Sequence, residues 1–357
     1  MKENLKIYEV LQKHLDKMPV GFPRTKSGVE LEILKHLFSP KEAKTALFLD
    51  IMPKSIDSIY RRAKQSDYTK EEVEDLLIKM VSKGSIHSFE KNGEKFYALA
   101  FLAIGMFEYQ LNRLSEKFVK DFHRYVEEAY LGEFHKIKSQ IRVIPVEKSL
   151  NPGTSVKTYN DVREIIKIYG EPIALSECIC KKGKDLIGEP CQMTNLREIC
   201  FAFRGGAEYY IKMGFARKIS KSEALEIIEQ AEEDSLILQT GNSQKPNFVC
   251  CCCSCCCGLL SHEKNLENPA NVVYNNYYAE VDELSCTGCG LCQEICQMDA
   301  ISIVQDKSKV SRKRCIGCGN CVSKCPSNAI HLSQKEKKII PPKNTYDLYS
   351  ELMSKNR

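Results

Sequence analysis

The stretch "CTGCGLCQEICQMDAISI" at residues 286–303 is answered by "CIGCGNCVSKCPSNAIHL" at 315–332, and this pair decides how the chain folds near its C-terminus. Each copy opens on C-x2-C-x2-C-x3-C: Cys286, Cys289, Cys292 and Cys296, then Cys315, Cys318, Cys321 and Cys325. The x2 spacing brings three thiolates out of one tight loop. Gly288, Gly290, Gly317 and Gly319 let the backbone wrap closely and aim its N–H groups at the sulfurs. The copies also agree past the cysteines, "MDAISI" against "SNAIHL", which predicts a pseudo-symmetric pair of strand and helix halves. One position departs from the repeat. Gln297 stands where the second copy has Pro326, so a looser loop is expected there without the loss of a ligand.

Length and composition bound the rest. The 357 residues leave room for two or three domains, and 43% hydrophobic with 28% charged residues suits packed globular domains, not a disordered chain. The N-terminal "MKENLKIYEVLQKHLDKM" mixes charged and apolar residues with no uninterrupted apolar core, so it reads as an amphipathic helix and not as a signal peptide. The longest nearly apolar run, 97–107, is about half of the ~20 residues that a membrane span needs. A cytoplasmic location without a membrane span is therefore expected. In a reducing compartment, 19 cysteines argue for metal and against a disulfide framework. The formal charge of +5, from 52 basic and 47 acidic residues, is too small to imply nucleic acid.

Subtracting the eight motif cysteines leaves eleven. Seven crowd into "CCCCSCCC", residues 250–257, with only Ser254 interrupting; the others are Cys178, Cys180, Cys191 and Cys200. If the run were extended, Cys250, Cys252 and Cys256 would face one way and Cys251, Cys253, Cys255 and Cys257 the other. Cys178 and Cys180 end the predicted strand "EPIALSEC" (171–178) and would likewise face one metal together. Adjacent thiolates repel unless metal neutralises them. Eleven thiols suffice for two further four-ligand clusters or for one larger assembly bridged by vicinal thiolates, and both arrangements stay open at this point. Around them a small mixed α/β unit is expected. It has a strand at "QIRVIPV" (140–146), a turn at "NPGT" (151–154), and helices at 158–170, 203–214 and 220–237.

Near the N-terminus, capping boxes pair Ser39 with Glu42 and Thr69 with Glu72. "SIDSIYRRA" (55–63) reads as a helix between them, and "SIHSFEKNGEKFYALA" (85–100) as a hairpin turning at Asn92 and Gly93. Three helices and a wing describe a winged-helix-like domain. Its recognition helix would present Glu71, Glu72, Glu74 and Asp75 to a polyanion, so nucleic acid is disfavoured as a partner. A long amphipathic helix over 101–130 is predicted to support a homodimer through this N-terminal domain.

Residues 277–333 resemble a ferredoxin domain of the bacterial type, with two [4Fe-4S] clusters. A structural zinc pair is the plainer alternative, but the fourth cysteine at x3 in both copies favours iron and sulfur. In such domains the fourth cysteine serves the other cluster. The resemblance therefore implies one cluster on Cys286, Cys289, Cys292 and Cys325, and a second on Cys315, Cys318, Cys321 and Cys296. From about residue 20 to 333 the chain resembles the multidomain 4Fe-4S binding proteins of anaerobes, whose cysteine run tends to read C-x-C-C-x-C-C-C-G. That maps onto Cys250, Cys252, Cys253, Cys255, Cys256, Cys257 and Gly258, with Cys251 at the variable position. With Cys178, Cys180, Cys191 and Cys200 they form the expected additional cluster site, and at least one further iron–sulfur cluster is expected beside the two.

The expected fold is multidomain α+β. A winged-helix-like helical domain spans 1–134, a cysteine-rich metal-binding domain of mixed α/β type 135–270, a two-[4Fe-4S] ferredoxin domain 271–334 and a C-terminal tail 335–357. The expected function is low-potential electron transfer in anaerobic metabolism, between the ferredoxin domain and the additional site. A redox-sensing winged-helix transcription regulator is the alternative. No phosphate loop, dinucleotide fingerprint or nucleophile elbow occurs, so no catalytic residue is singled out and the chain reads as an oxidoreductase component. Redox proteins are the expected partners. Arg312, Lys313, Arg314, Lys324, Lys335, Lys337 and Lys338 would dock an acidic electron carrier beside the second motif.

Overall fold

Ser39 and Thr69 do start helices. In the computed structural model, which describes residues 2–64, 68–136, 140–150 and 158–354, each side chain accepts the N–H three residues on. Glu42 and Glu72 return the bond to the cap backbone. The chain divides into two units, Met1–Ile137 and Lys138–Arg357.

In the first unit, helices Lys2–Leu15, Val29–Leu37, Pro40–Ala46, Ile56–Ala63 and Lys70–Ser82 precede a hairpin of Ile86–Lys91 and Glu94–Leu99. Asn92 and Gly93 turn that hairpin with φ of 53° and 77°, the left-handed pair that a two-residue turn of this twist requires. A two-residue strand, Lys54–Ser55, pairs with the outer side of Glu94–Leu99.

The single helix expected over 101–130 does not form. The backbone leaves helical geometry at Ala103, Ile104 and Gly105, and a new helix, Glu116–Tyr125, begins only where Ser115 caps it by accepting the Phe118 N–H. Phe107, Phe118 and Phe122 stack on one another and are buried inside the unit. Three rings of the stretch expected to form one amphipathic helix thus lie in the unit's own core.

The second unit carries the cysteines. Its main sheet has six strands, all antiparallel to their neighbours, in the order Ile141–Ile144, Ile237–Gly241, Phe248–Cys252, Glu198–Phe203, Ile173–Glu177 and Arg217–Ile219. Helices Val162–Tyr169 and Lys221–Glu233 cover one face, burying Val162, Ile165, Ile166, Ala224 and Ile228 against Phe201, Phe203, Leu238 and Val249. Helix Gly205–Lys212 packs Ala207 against Ala174 and Ala202. The "NPGT" turn lies outside the described residues.

The cysteine repeat forms two halves of strand, helix and strand: Tyr277–Val281, Leu291–Glu294, Ile301–Val304, then Lys307–Val310, Asn320–Ser323, Ile330–Gln334. The first strand of one half pairs with the last strand of the other, and the two inner strands pair together. The segment joining the sheet to this region is packed, with Val273 buried and the Val143 N–H donated to the Tyr274 carbonyl at 2.9 Å. The C-terminal stretch is packed as well. It forms helix Thr345–Ser354, burying Leu348 and Leu352. Among the described residues no helix is long and apolar enough to cross a membrane.

Candidate metal centres

The two cysteine loops owe their shape to glycine. Gly288 and Gly317 sit at φ of 68° and 66°, and a Cβ there would lie 2.2 Å from the Asp306 carbonyl oxygen or 2.3 Å from that of Tyr277. The chain therefore passes against a neighbouring backbone at the same position in both copies. Gly290 and Gly319, at 83° and 84°, start the short helices that follow.

Wrapping this close turns backbone N–H groups onto sulfur. Ala279 donates to Cys315 at 3.3 Å, Ala300 to Cys296 at 3.3 Å, Ser308 to Cys286 at 3.4 Å and Ala329 to Cys325 at 3.3 Å. The Ser308 hydroxyl reaches the sulfurs of both Cys286 and Cys292, while Cys289 stands exposed at the rim. Bonds from Ser308 and Gly288 hold the Cys286 thiol below its ordinary value.

Cys296, Cys315, Cys318 and Cys321 line one cavity, walled by Ile237, Met298, Ile316 and Leu332. Burial pushes Cys318 up to about 12 and Cys321 well above its ordinary value. Four sulfurs in an apolar cradle, with N–H donors on the ligand sulfurs, fit a thiolate-bound iron–sulfur cluster. A bound cation offsets the penalty that burial places on each thiolate. The cavity draws Cys296 in with the cysteines of the other copy.

In the middle region the extended geometry expected for Cys178 and Cys180 is replaced by a helix start. Cys178 occupies the N-cap of Ile179–Leu186 and Cys180 lies in its first turn. The run at 250–257 is extended only as far as Cys252. It then turns back, Cys257 donating its N–H to the Cys253 carbonyl at 3.0 Å. The alternation of faces therefore ends at the turn.

The consequence is a sorting of the thiols. Cys191, Cys253, Cys255 and Cys256 gather so that all four sulfurs lie within 4.8 Å of one another. Lys181, fully buried, donates from Nζ to the Cys191 sulfur at 2.9 Å and to that of Cys253 at 3.0 Å. Burial opposes its charge, but the two sulfurs hold the ammonium above the ordinary lysine range. Hydrogen bonding from Cys256, with Lys181 beside it, holds Cys253 down at about 5 in spite of its burial.

The other six lie in a row in which each thiol is an electrostatic neighbour of the next: Cys178, Cys180, Cys257, Cys252, Cys250, Cys200. Cys200 and Cys250 are direct partners across adjacent strands, with sulfurs 3.8 Å apart. Cys251 stands apart from both groups. It points to the opposite face of its strand and is 1% exposed in the apolar core.

Gln297 does not loosen its loop. Its side chain is buried, donating to the Ser235 carbonyl at 2.6 Å and accepting the Ser254 N–H at 2.8 Å. Ser254 is the one interruption of the cysteine run, so Gln297 ties that run to the loop of Cys296. Asn320, between Cys318 and Cys321, donates to the same Ser235 carbonyl at 2.7 Å. Neither Gln297 in this role nor Lys181 was legible as a functional residue. Lys181 reads locally as one charge among several in "CKKGK", and the partners of Gln297 lie 43 and 62 residues away.

The family model described as 4Fe-4S dicluster domain matches residues 279–332. No curated protein and no solved structure matches the chain. The family match and the gathered cysteines together support a 4Fe-4S binding protein.

Proposed function

We propose that the chain is an electron-transfer protein of anaerobic metabolism, an oxidoreductase component in which the dicluster region exchanges low-potential electrons with the thiol sites of the middle region. Bound [4Fe-4S] clusters supply one-electron chemistry at low potential. The residues of the chain hold, insulate and connect them. Cys286, Cys289, Cys292 and Cys325 would hold one cluster, Cys315, Cys318, Cys321 and Cys296 the second, and Cys191, Cys253, Cys255 and Cys256 a further one.

The observation that carries this reading is the junction. Cys296 and Cys318 of the dicluster region pack on the same buried apolar cluster as Cys250, Cys252 and Cys257, around Ile237, Met298 and Ile316. Gln297 adds a hydrogen-bonded link from Cys296 to the residue between Cys253 and Cys255. A metal site that served structure alone would gain nothing from that proximity.

An acidic carrier docking by charge complementarity is the partner this reading expects. Arg314 is unsuited to that role because it donates to the carbonyls of Met298, Leu266 and Lys264, and Arg312 pairs with Glu280. Exposed Lys313, Lys337 and Lys338 are better placed. A second reading has an observation of its own. The helices of the first unit and its strand order of Lys54–Ser55, Glu94–Leu99, Ile86–Lys91 suit a winged-helix-like domain and hence a redox-responsive regulator. Against it, Glu71, Glu72 and Asp75 are exposed on the helix that would meet DNA.

An anaerobic redox titration followed by EPR, beside gel shifts with genomic fragments, separates the two. Electron transfer requires reversible one-electron steps at low potential and no shifted DNA. A redox-dependent shift would replace it with the regulator.

A further inference from the structure

Ten of the eleven middle cysteines are sorted by the fold into two groups, and the smaller has a feature that the larger lacks. The four-thiol group has a buried ammonium among its sulfurs. The row of six has none: among the described residues no lysine or arginine bonds to Cys178, Cys180, Cys200, Cys250, Cys252 or Cys257. Cys200 and Cys250 face each other within two central strands, Cys252 ends the second of them at 9% exposed, and Cys180 lies in the first turn of a helix. A thiol is a weak hydrogen-bond donor, so a continuous row of thiols is a poor way to satisfy buried sulfur. A metal bound by the row would supply the positive charge that its thiolates call for.

We infer that Cys178, Cys180, Cys200, Cys250, Cys252 and Cys257 form a second metal centre of the middle region, separate from the four-thiol group, and hold one iron–sulfur cluster of more than four irons. The count of sulfurs carries the nuclearity. A four-iron cubane takes one thiolate per iron, so one cubane leaves two of the six unused and two cubanes need eight. The contacts divide the row into two trios. Cys180 has Cys178 and Cys257 as neighbours, Cys250 has Cys200 at 3.8 Å and Cys252 as neighbours, and Cys252 neighbours Cys257. Neither trio completes a cubane alone, whereas two iron–sulfur halves that share a bridging sulfide or thiolate use all six. No sulfur–sulfur hydrogen bond among the described residues joins this row to the four-thiol group. The inference concerns metal content and does not depend on the electron-transfer reading.

Anaerobic reconstitution of the full chain with ferrous iron and sulfide tests it, with iron, zinc and acid-labile sulfide counted per chain. Three four-iron sites would saturate at about twelve irons. The six-thiol centre lifts saturation above about sixteen, with sulfide rising in step. Replacing three of the four inner thiols together, Cys180→Ser, Cys252→Ser and Cys257→Ser, is expected to remove more than about four irons while the EPR signature of the dicluster region persists. The pair Cys253→Ser and Cys255→Ser is expected to remove about four. Saturation of the unaltered chain at about twelve irons would overturn the inference without recourse to any variant. So would equal losses in the two variants, or zinc at the six thiols with no added sulfide.

Discussion

Gly317→Ala is expected to abolish loading of the second dicluster site. The new Cβ would lie 2.3 Å from the Tyr277 carbonyl oxygen and 2.8 Å from Oδ1 of Asn275, at a φ of 66° that already disfavours any side chain. Neither neighbour can yield. Tyr277 belongs to the strand paired with Ile330–Gln334, and the Asn275 side chain accepts the Tyr277 N–H at 2.9 Å. Strain and clash together cost on the order of 3–5 kcal/mol. That penalty falls on the loop carrying Cys315 and Cys318, so about four irons should be lost. Gly290→Ala is the control. Its φ is 83°, but nothing lies within 4 Å of a Cβ there, so only the left-handed penalty of about 1–2 kcal/mol applies and the iron count should hold. Equal iron content in the two variants would contradict the close-approach argument.

The second large effect is expected at Lys181. Its ammonium is completely buried and contacts two of the four sulfurs that would hold the middle cluster. A fixed positive charge favours whichever redox state carries more negative charge, which is the reduced one. Lys181→Met should therefore lower the midpoint potential of that cluster, by on the order of 100 mV for a charge a few ångströms away in a medium between water and dry protein. The dicluster potentials should move far less. An EPR-monitored redox titration reads both, and an unchanged middle potential would show that Lys181 serves packing alone.

The motif cysteines were legible because ligand spacing is a local property, and the glycines that shape their loops lie between them. Gly288 and Gly317 could be named before the backbone they approach was known. The six-stranded sheet was not legible. Ile237–Gly241 follows directly on a helix, and the sequence extends that helix through "SLI", past the point where Ser235 at φ 57° ends it. Phe248–Cys252 is a strand made largely of cysteine, a residue with little periodic signal of its own. The sorting of thiols depends on a turn after Cys252 and on partners from 50 to 77 residues away, information that no short window contains. Gln297 shows the same limit. Its departure from Pro326 was visible, but its use follows only from where Ser235 and Ser254 arrive in space. Helical periodicity over 101–130 misled for a related reason, since one apolar stripe was divided between two segments folded onto each other.

The central claim is that the dicluster region and the middle thiol sites stand in electronic series. Stopped-flow reduction by a low-potential carrier tests it most directly, comparing the full chain with a Cys289→Ala, Cys318→Ala variant whose middle clusters are shown intact by iron count and spectrum. The middle sites of that variant are expected to be reduced at least about tenfold more slowly, a barrier increase of about 1.4 kcal/mol or more. Unchanged reduction kinetics with the middle clusters intact would contradict it.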